Sequence, residues 1–234
     1  VTIIDNDTAS CQNQIASNGF TIDNFDCVYN FTKGTANNPF WSGLLDTAGY
    51  TISANANLTK PGSVHLESKN AAWAGNDNTG PFLYKDVAGD FIAETYVSGY
   101  AGAAGSEVYY NDGGLMVRLG DIAAGGAGED NLQIRYFPLY SVGNILAFND
   151  NGGRTEPDNL GTGWDGDRYF QMERVGNKFY LRHSVDGITW KAFPSANPVT
   201  RDDMNVSTLQ IGLWQCTYNS TTGYLDFDYF KLKQ

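Results

Sequence analysis

The sequence predicts an all-β protein: two antiparallel sheets stacked face to face as a jelly-roll sandwich. Three observations carry this. The 234 residues include 27 Gly, 14 Tyr, 13 Phe and 5 Trp, while charged residues make up only 18%. Turn formers and flat rings in that proportion suit many short strands better than helices, whose surfaces want Lys, Glu and Arg. No stretch carries apolar residues at i, i+3, i+4 and i+7 over three turns, whereas alternation with period two recurs from residue 78 onward. Strands with no helices between them pair antiparallel, and this many must stack or close to hide their edges.

Taken in order, residues 1–10 stand apart and read as a linker or the remnant of a preceding domain, with a short N-terminal strand of this domain as the alternative. Residues 11–234 read as one sandwich domain. From 11 to about 78 the chain is loop-rich, with runs such as Thr35-Ala36-Asn37-Asn38-Pro39 and short strand candidates at 50–54 and 63–68; 41–48 makes at most one helical turn. Beyond it, strands are predicted at 82–87, 91–98, 114–119, 131–137, 145–149, 168–175, 178–184, 208–215 and 223–232. Turn signals separate them, among them Ala88-Gly89-Asp90, Asp150-Asn151-Gly152-Gly153 and Val185-Asp186-Gly187. The pair 168–175 and 178–184 across Gly176-Asn177 reads as a hairpin with a tight primed turn.

Alternation also sorts side chains into two faces. Leu115/Val117, Leu132/Ile134, Phe170/Met172, Phe179/Leu181, Ile211/Leu213 and Leu225/Phe227 form one apolar set, the expected core. The opposite parity holds Met116, Gln133, Gln171, Tyr180 and Gln210 together with a candidate ligand-binding set, Glu94, Tyr96, Arg118, Arg135, Glu173, Arg182 and Trp214. If these strands are neighbours in one sheet, a single outer face gathers three arginines in a chain poor in basic residues. Arginine forks hold carboxylates or hydroxyls in fixed geometry, and a Trp face stacks on a sugar ring. Trp41 and Trp73, in the loop-rich part, join the set as candidate exposed rings. The competing reading is a solvated face of cross-strand Arg–Glu pairs with Trp plugs in the core. His65 and His183 read as satisfied histidines.

Composition narrows the partners. Fifteen basic against 26 acidic residues leave a net charge of −11, which disfavours nucleic acid and anionic membrane surfaces. No run of residues is apolar enough to cross a bilayer as a helix. Three cysteines are too few for a disulfide framework. Cys11 and Cys27 are close enough to close a small loop by a disulfide, with Cys216 as a buried thiol; three reduced cysteines are the alternative. Calcium prefers clustered carboxylates, and Asp23 and Asp26 near the first strand with Asp226 and Asp228 in the last form a candidate structural Ca²⁺ site. Turn chemistry of Asp and Asn is the competing explanation.

Two resemblances add to this. Val1-Thr2-Ile3-Ile4-Asp5-Asn6-Asp7 resembles the closing strand of a Calx-β repeat, which implies an excised piece of a larger secreted protein. Gly80-Pro81-Phe82-Leu83-Tyr84-Lys85, Gly114-Leu115-Met116-Val117-Arg118, Arg174-Val175-Gly176-Asn177-Lys178-Phe179-Tyr180 and Ser184-Val185-Asp186-Gly187-Ile188-Thr189-Trp190 look like concanavalin A-like lectin/glucanase domains. That resemblance implies a jelly roll with sugars on the concave face or its rim, on a fold that hosts lectins, binding modules, hydrolases and lyases alike. The Glu-x-Asp-x-x-Glu run of its retaining hydrolases is absent. Gln133-Ile134-Arg135 echoes the Gln-Ile-His strand of its lyases with Arg where the His belongs. No catalytic residue is assigned. The expected function is non-catalytic, lectin-like carbohydrate binding within a secreted or cell-surface, bacterial, multidomain protein, its partners being a polysaccharide and the other domains of the same chain. The ligand is an acidic polysaccharide if the arginine-bearing face is the site. A jelly-roll glycoside hydrolase or polysaccharide lyase, and a structural adhesin domain, are the alternatives.

Overall fold

The computed structural model describes residues 14–15, 18–34, 38–46, 49–74, 77–101, 110–120, 130–138, 144–151, 154–160, 166–195, 197–218 and 220–234. Among them there is no helix. In chain order the strands are β1 (Gln14–Ile15), β2 (Thr21–Asp23), β3 (Tyr29–Asn30), β4 (Gly43–Leu45), β5 (Thr51–Ala56), β6 (Val64–Ser68), β7 (Trp73–Ala74), β8 (Asp77–Asn78), β9 (Phe82–Ala88) and β10 (Phe91–Tyr100). There follow β11 (Asn111–Arg118), β12 (Asp130–Phe137), β13 (Asn144–Asn151), β14 (Arg154–Asn159), β15 (Tyr169–Val175), β16 (Lys178–Ser184), β17 (Lys191–Ala192), β18 (Val199–Thr200), β19 (Thr208–Thr217) and β20 (Gly223–Lys233). Residues 1–10 and Cys11 lie outside the described residues, and with them the Calx-β resemblance.

Apart from the separate β7–β8 pair, the strands form two antiparallel sheets, an all-β jelly-roll sandwich. The larger runs β17-β16-β15-β10-β20-β6-β5-β3, with β1, β2 and β18 at its margins; the smaller runs β14-β13-β12-β11-β19-β9-β4. Short turns carry the chain from one sheet to the other. Gly89, at φ +74°, takes it from β9 to β10 within two residues, a left-handed conformation that a side chain would oppose. All twelve residues of the predicted apolar set lie in the core between the sheets. Fully burying each such side chain is worth about 1.5–3 kcal/mol, so this layer is the main source of stability. The last strand is tied to β2 near the start of the chain by backbone pairing, Thr21 opposite Leu232 and Asp23 opposite Phe230.

Local expectations hold where the turn chemistry is strong. β15 and β16 meet with Val175 opposite Lys178. Gly176 sits at φ +61° while Asn177 stays at negative φ, the pattern of a type II′ turn. Residues 41–46 form no helical turn, and 47–48 lie outside the described residues. β4 pairs there with β9 as an edge strand, because the alternation around Leu44 buries it against the core. β14 is a strand that Pro157 and its charged neighbours disguise; it is the outermost of the smaller sheet, where proline is tolerated. Cys27 is disulfide-bonded and Cys216 is a buried free thiol.

Candidate functional site

The predicted ligand-binding residues do not share one face. Alternation fixes which way a side chain points relative to its own strand and says nothing about which sheet that strand joins. β11, β12 and β19 are neighbours in the smaller sheet, so Arg118, Arg135 and Trp214 project from its outer side. β10, β15 and β16 are neighbours in the larger, so Glu94, Tyr96, Glu173 and Arg182 project from the opposite side of the molecule. The three-arginine cluster is therefore not assembled.

On the larger sheet the side chains form ordered rows across four adjacent strands. In one row Arg182 stands opposite Gln171, Gln171 opposite Glu94, and Glu94 opposite Lys231. Arg182 donates to the Gln171 carbonyl and, at 2.7 Å, to Glu173; Gln171 Nε2 donates to Glu94 Oε1 at 2.8 Å, and Lys231 Nζ lies 3.9 Å from Glu94 Oε2. With Glu173 of the neighbouring row counted, the two cations Arg182 and Lys231 face two carboxylates, so the set is neutral as a unit. The next row is aromatic. Tyr96 faces Tyr169, their rings stacked at 4.3 Å, with the Arg168 guanidinium 5.6 Å above Tyr96.

A β-bulge completes the aromatic row. Thr95 is paired with Phe230 and Val97 with Phe227, so both Asp228 and Tyr229 stand opposite Tyr96 alone. The extra residue swings Tyr229 outward beside the other two rings, and Thr95 Oγ1 donates to its carbonyl at 2.7 Å. Lys231 Nζ lies 4.3 Å above the Tyr229 ring, and Asp228 accepts a bond from Ser63 at 2.9 Å. Burial first, then the nearby Glu94, Tyr169 and Asp228, push the Tyr229 phenol well above its ordinary range; Tyr169 is raised by burial and by Tyr96 and Asp228. Both phenols keep their O–H at neutral pH and can donate it. Tyr96, Tyr169 and Tyr229 are all part-exposed. With strands about 4.8 Å apart, rings and polar row together span about 14 Å of open surface. Tyr169 and Tyr229 were not among the predicted site residues. The signal for Tyr229 lies in the core spacing Leu225, Phe227, Phe230, Leu232, which slips by one residue where strict alternation would continue.

The outer side of the smaller sheet is closed instead. The hairpin of β7 and β8 lies over it, and Trp73, Phe82, Met116, Trp214 and Cys216 pack there as a second, smaller apolar cluster. Gly114 stands in register between Arg135 and Trp214, and across it the guanidinium lies 4.9 Å from the indole. Arg135 and Asp112 are buried, joined Nε to Oδ2 at 3.0 Å. Arg135 also donates to the Trp73 carbonyl at 3.0 Å and the Tyr218 hydroxyl at 2.8 Å, and the Cys216 thiol donates to Asp112 at 2.8 Å. Burial opposes the Arg135 charge, but Asp112, Tyr218 and Cys216 together outweigh it, so the guanidinium stays charged; burial drives the Cys216 thiol well above its ordinary range. Arg118 is 2% exposed, 5.8 Å from the Trp73 ring.

The remaining expectations resolve by burial. Trp73 is 0% and Trp41 4% exposed, so neither offers a ring to a ligand. Trp41 packs on Phe230 in the main core and donates its N–H to Asp23 at 2.9 Å. Asp23 also accepts from Phe25 N and Asn38; burial raises its carboxyl while these bonds oppose the rise. It shares the inward side of Phe230, whereas Asp226 and Asp228 face outward and exposed Asp26 accepts from Asn24. Among the described residues no group of three or more His, Cys, Asp or Glu side chains could hold a metal ion. Both histidines are satisfied through Nδ1 by aspartates at 2.7 Å, His65 by Asp226 and His183 by Asp167.

No family model and no curated protein matches the chain. Solved structures do. A functionally unknown protein from Saccharomyces cerevisiae is similar with a TM-score of 0.60 at 18% identity, over 81% of this chain and 94% of that one. A xylan β-1,4-xylosidase from Bacillus halodurans has a TM-score of 0.60 at 14% identity, over 91% of this chain but 39% of its own. The endo-β-1,3-glucanase of Pyrococcus furiosus has a TM-score of 0.55 at 10% identity, over 90% and 92%. Identities this low establish the sandwich fold alone. The chain spans about two-fifths of the xylosidase.

Proposed function

We propose that the chain is a non-catalytic carbohydrate-binding module, concanavalin A-like in fold, that holds a neutral polysaccharide on the open face of the larger sheet. The observation that carries it is the part-exposed row Tyr96–Tyr169–Tyr229 lying beside the polar row Arg182–Gln171–Glu94–Lys231, whose charge Glu173 balances. Rings receive the apolar faces of sugars, and amide, guanidinium and carboxylate groups receive their hydroxyls. A chain at −11, with no free arginine cluster on this face, gives a polyanion little reason to bind, so the acidic-ligand reading loses its premise. Glu94 and Glu173, the carboxylates of these rows, are engaged by Gln171, Lys231 and Arg182 rather than poised as a pair across a gap to cleave a glycosidic bond.

Two features support a secreted, multidomain setting. The Cys27 disulfide belongs to an oxidising compartment, and the chain corresponds to only part of the similar xylosidase. Calorimetry with xylohexaose, laminarihexaose and polygalacturonate, run beside a reducing-end assay, tests the proposal. Binding of a neutral hexasaccharide without new ends supports it. Turnover makes the chain an enzyme, and silence towards all three sugars leaves a structural adhesin domain.

A further inference from the structure

At one end of the sandwich, the edge of the larger sheet formed by β3 and β5 faces β4 of the smaller across a cleft of about 460 Å³. That is within the size range of small-ligand sites, about 300–1,000 Å³. β3 pairs with Asn55 and Ala56 of β5, Phe31 N–H reaches the Ala54 carbonyl at 2.9 Å, and residues 51–53 beyond them line the cleft.

The walls are held in place by polar groups that are already occupied. Asp46 accepts the backbone N–H groups of Gly49, Tyr50 and Thr51 at 3.0, 3.1 and 3.3 Å. Asn55 accepts Thr59 N–H at 2.9 Å and donates to the Ser53 and Thr59 hydroxyls at 2.7 and 2.9 Å. Asn57 ties the loop after β5 to Gly62 N–H at 2.8 Å and to the Asp26 carbonyl. With these contacts made, the surface offered to the cleft is pre-shaped, and little ordering cost remains for a ligand to meet.

The groups turned to the cleft have the chemistry of sugar recognition. Thr51 Oγ1 is buried and finds no partner among the described residues. The Ser53 hydroxyl accepts one bond from Asn55 and keeps its own proton to donate, and the amide of Asn30 is exposed at the mouth. Ile52 and Leu58 are 49% and 57% exposed on the rim, an apolar pair suited to the C–H face of a ring. Of the charged lining residues, Asp46 is spent on backbone and Lys33 stands exposed at the edge.

We propose that this cleft is a second carbohydrate site, separate from the tyrosine row, that takes the terminal one or two rings of a neutral glycan. It stands on its own observations and goes beyond the proposed function. If both sites engage one polysaccharide, the second contact becomes intramolecular and avidity exceeds either affinity.

Amide NMR of the isotope-labelled full chain, titrated with xylobiose and then laminaribiose, tests it. Shifts are expected at Asn30, Thr51, Ile52, Ser53 and Leu58 with millimolar affinity, and they should persist in Tyr96→Ala, which removes part of the other site. Thr51→Val keeps the shape and deletes the hydroxyl; it should weaken cleft binding about fivefold, roughly 1 kcal/mol, and leave hexasaccharide binding at the tyrosines unchanged. The exposed change Leu58→Asp should do the same without touching the core. Absence of shifts at these residues up to about 20 mM, where a millimolar site is filled, overturns the proposal, and so do shifts confined to the tyrosine row.

Discussion

Two arginine–carboxylate pairs sit on the two outer faces of one sandwich, Arg135–Asp112 on the smaller sheet and Arg182–Glu173 on the larger. Their lengths are similar, 3.0 and 2.7 Å, but the first pair is 1% and 0% exposed and the second 24% and 26%. Water screens the second pair, which is worth at most about 1 kcal/mol. The first has lost its water, so each partner depends on the other to remain tolerable. The lesson is that residue type does not distinguish a binding face from a closed one. The β7–β8 hairpin does, by covering one face and leaving the other to solvent.

Removing one charge from each pair breaks the comparison most directly. Arg135→Ala should lower unfolding free energy by about 3–5 kcal/mol, because it strands Asp112 without its counter-ion in a dry layer. Denaturant melts would measure this, and a loss below about 1 kcal/mol would mean that water reaches the layer. Tyr96→Ala should leave the melt nearly unchanged and weaken hexasaccharide binding at least tenfold, about 1.4 kcal/mol. Equal affinity in the variant would move the ligand off this face.

A weaker effect is expected from pH. Burial holds His183 below its ordinary value, opposed by its bond to Asp167. The unfolded chain therefore takes up the proton first, near pH 6.5, and the native state only at lower pH. Stability from this group is complete above about pH 6.5 and declines as pH falls towards the folded value, so melting midpoints should drop across that window and flatten in His183→Gln. The smallest change belongs to the exposed pair: Arg182→Ala should alter stability by no more than about 1 kcal/mol, less still in high salt, as chemical melts at two ionic strengths would show.

Much of the fold was legible in the sequence, and the reason is periodicity. Leu115, Val117, Phe179 and Leu181 declare an inward face because they are apolar at every second position, and the twelve residues read that way all meet in the core. Sheet membership was not legible, since a strand's parity is local and its neighbours are chosen by the whole topology. Hence Arg118 and Arg182, alike in pattern, lie on opposite sides of the molecule. Trp41 and Trp73 misled for another reason: a loop-rich neighbourhood suggests exposure, yet large rings are the best available filling for an uncovered edge or face. Half of the candidate site was visible as Glu94, Tyr96, Glu173 and Arg182. Tyr229 was hidden by one irregular step in an otherwise alternating strand.

That irregular step makes chain length itself a heritable feature of β20. Phe230 and Leu232 reach the core, and Lys231 and Lys233 face away from it, because the bulge absorbs the one extra residue between Phe227 and Phe230. Deleting either Asp228 or Tyr229 would restore a regular ladder in which Phe227, Phe230 and Leu232 still point inward, because Thr95 and Val97 keep their partners on either side of the step. Such a one-codon deletion would take away one of the two outward groups opposite Tyr96 and leave the closing strand in register. Variation in this part of the surface is therefore open to loss of a residue as well as to substitution, at the cost of the extra outward side chain rather than of the core.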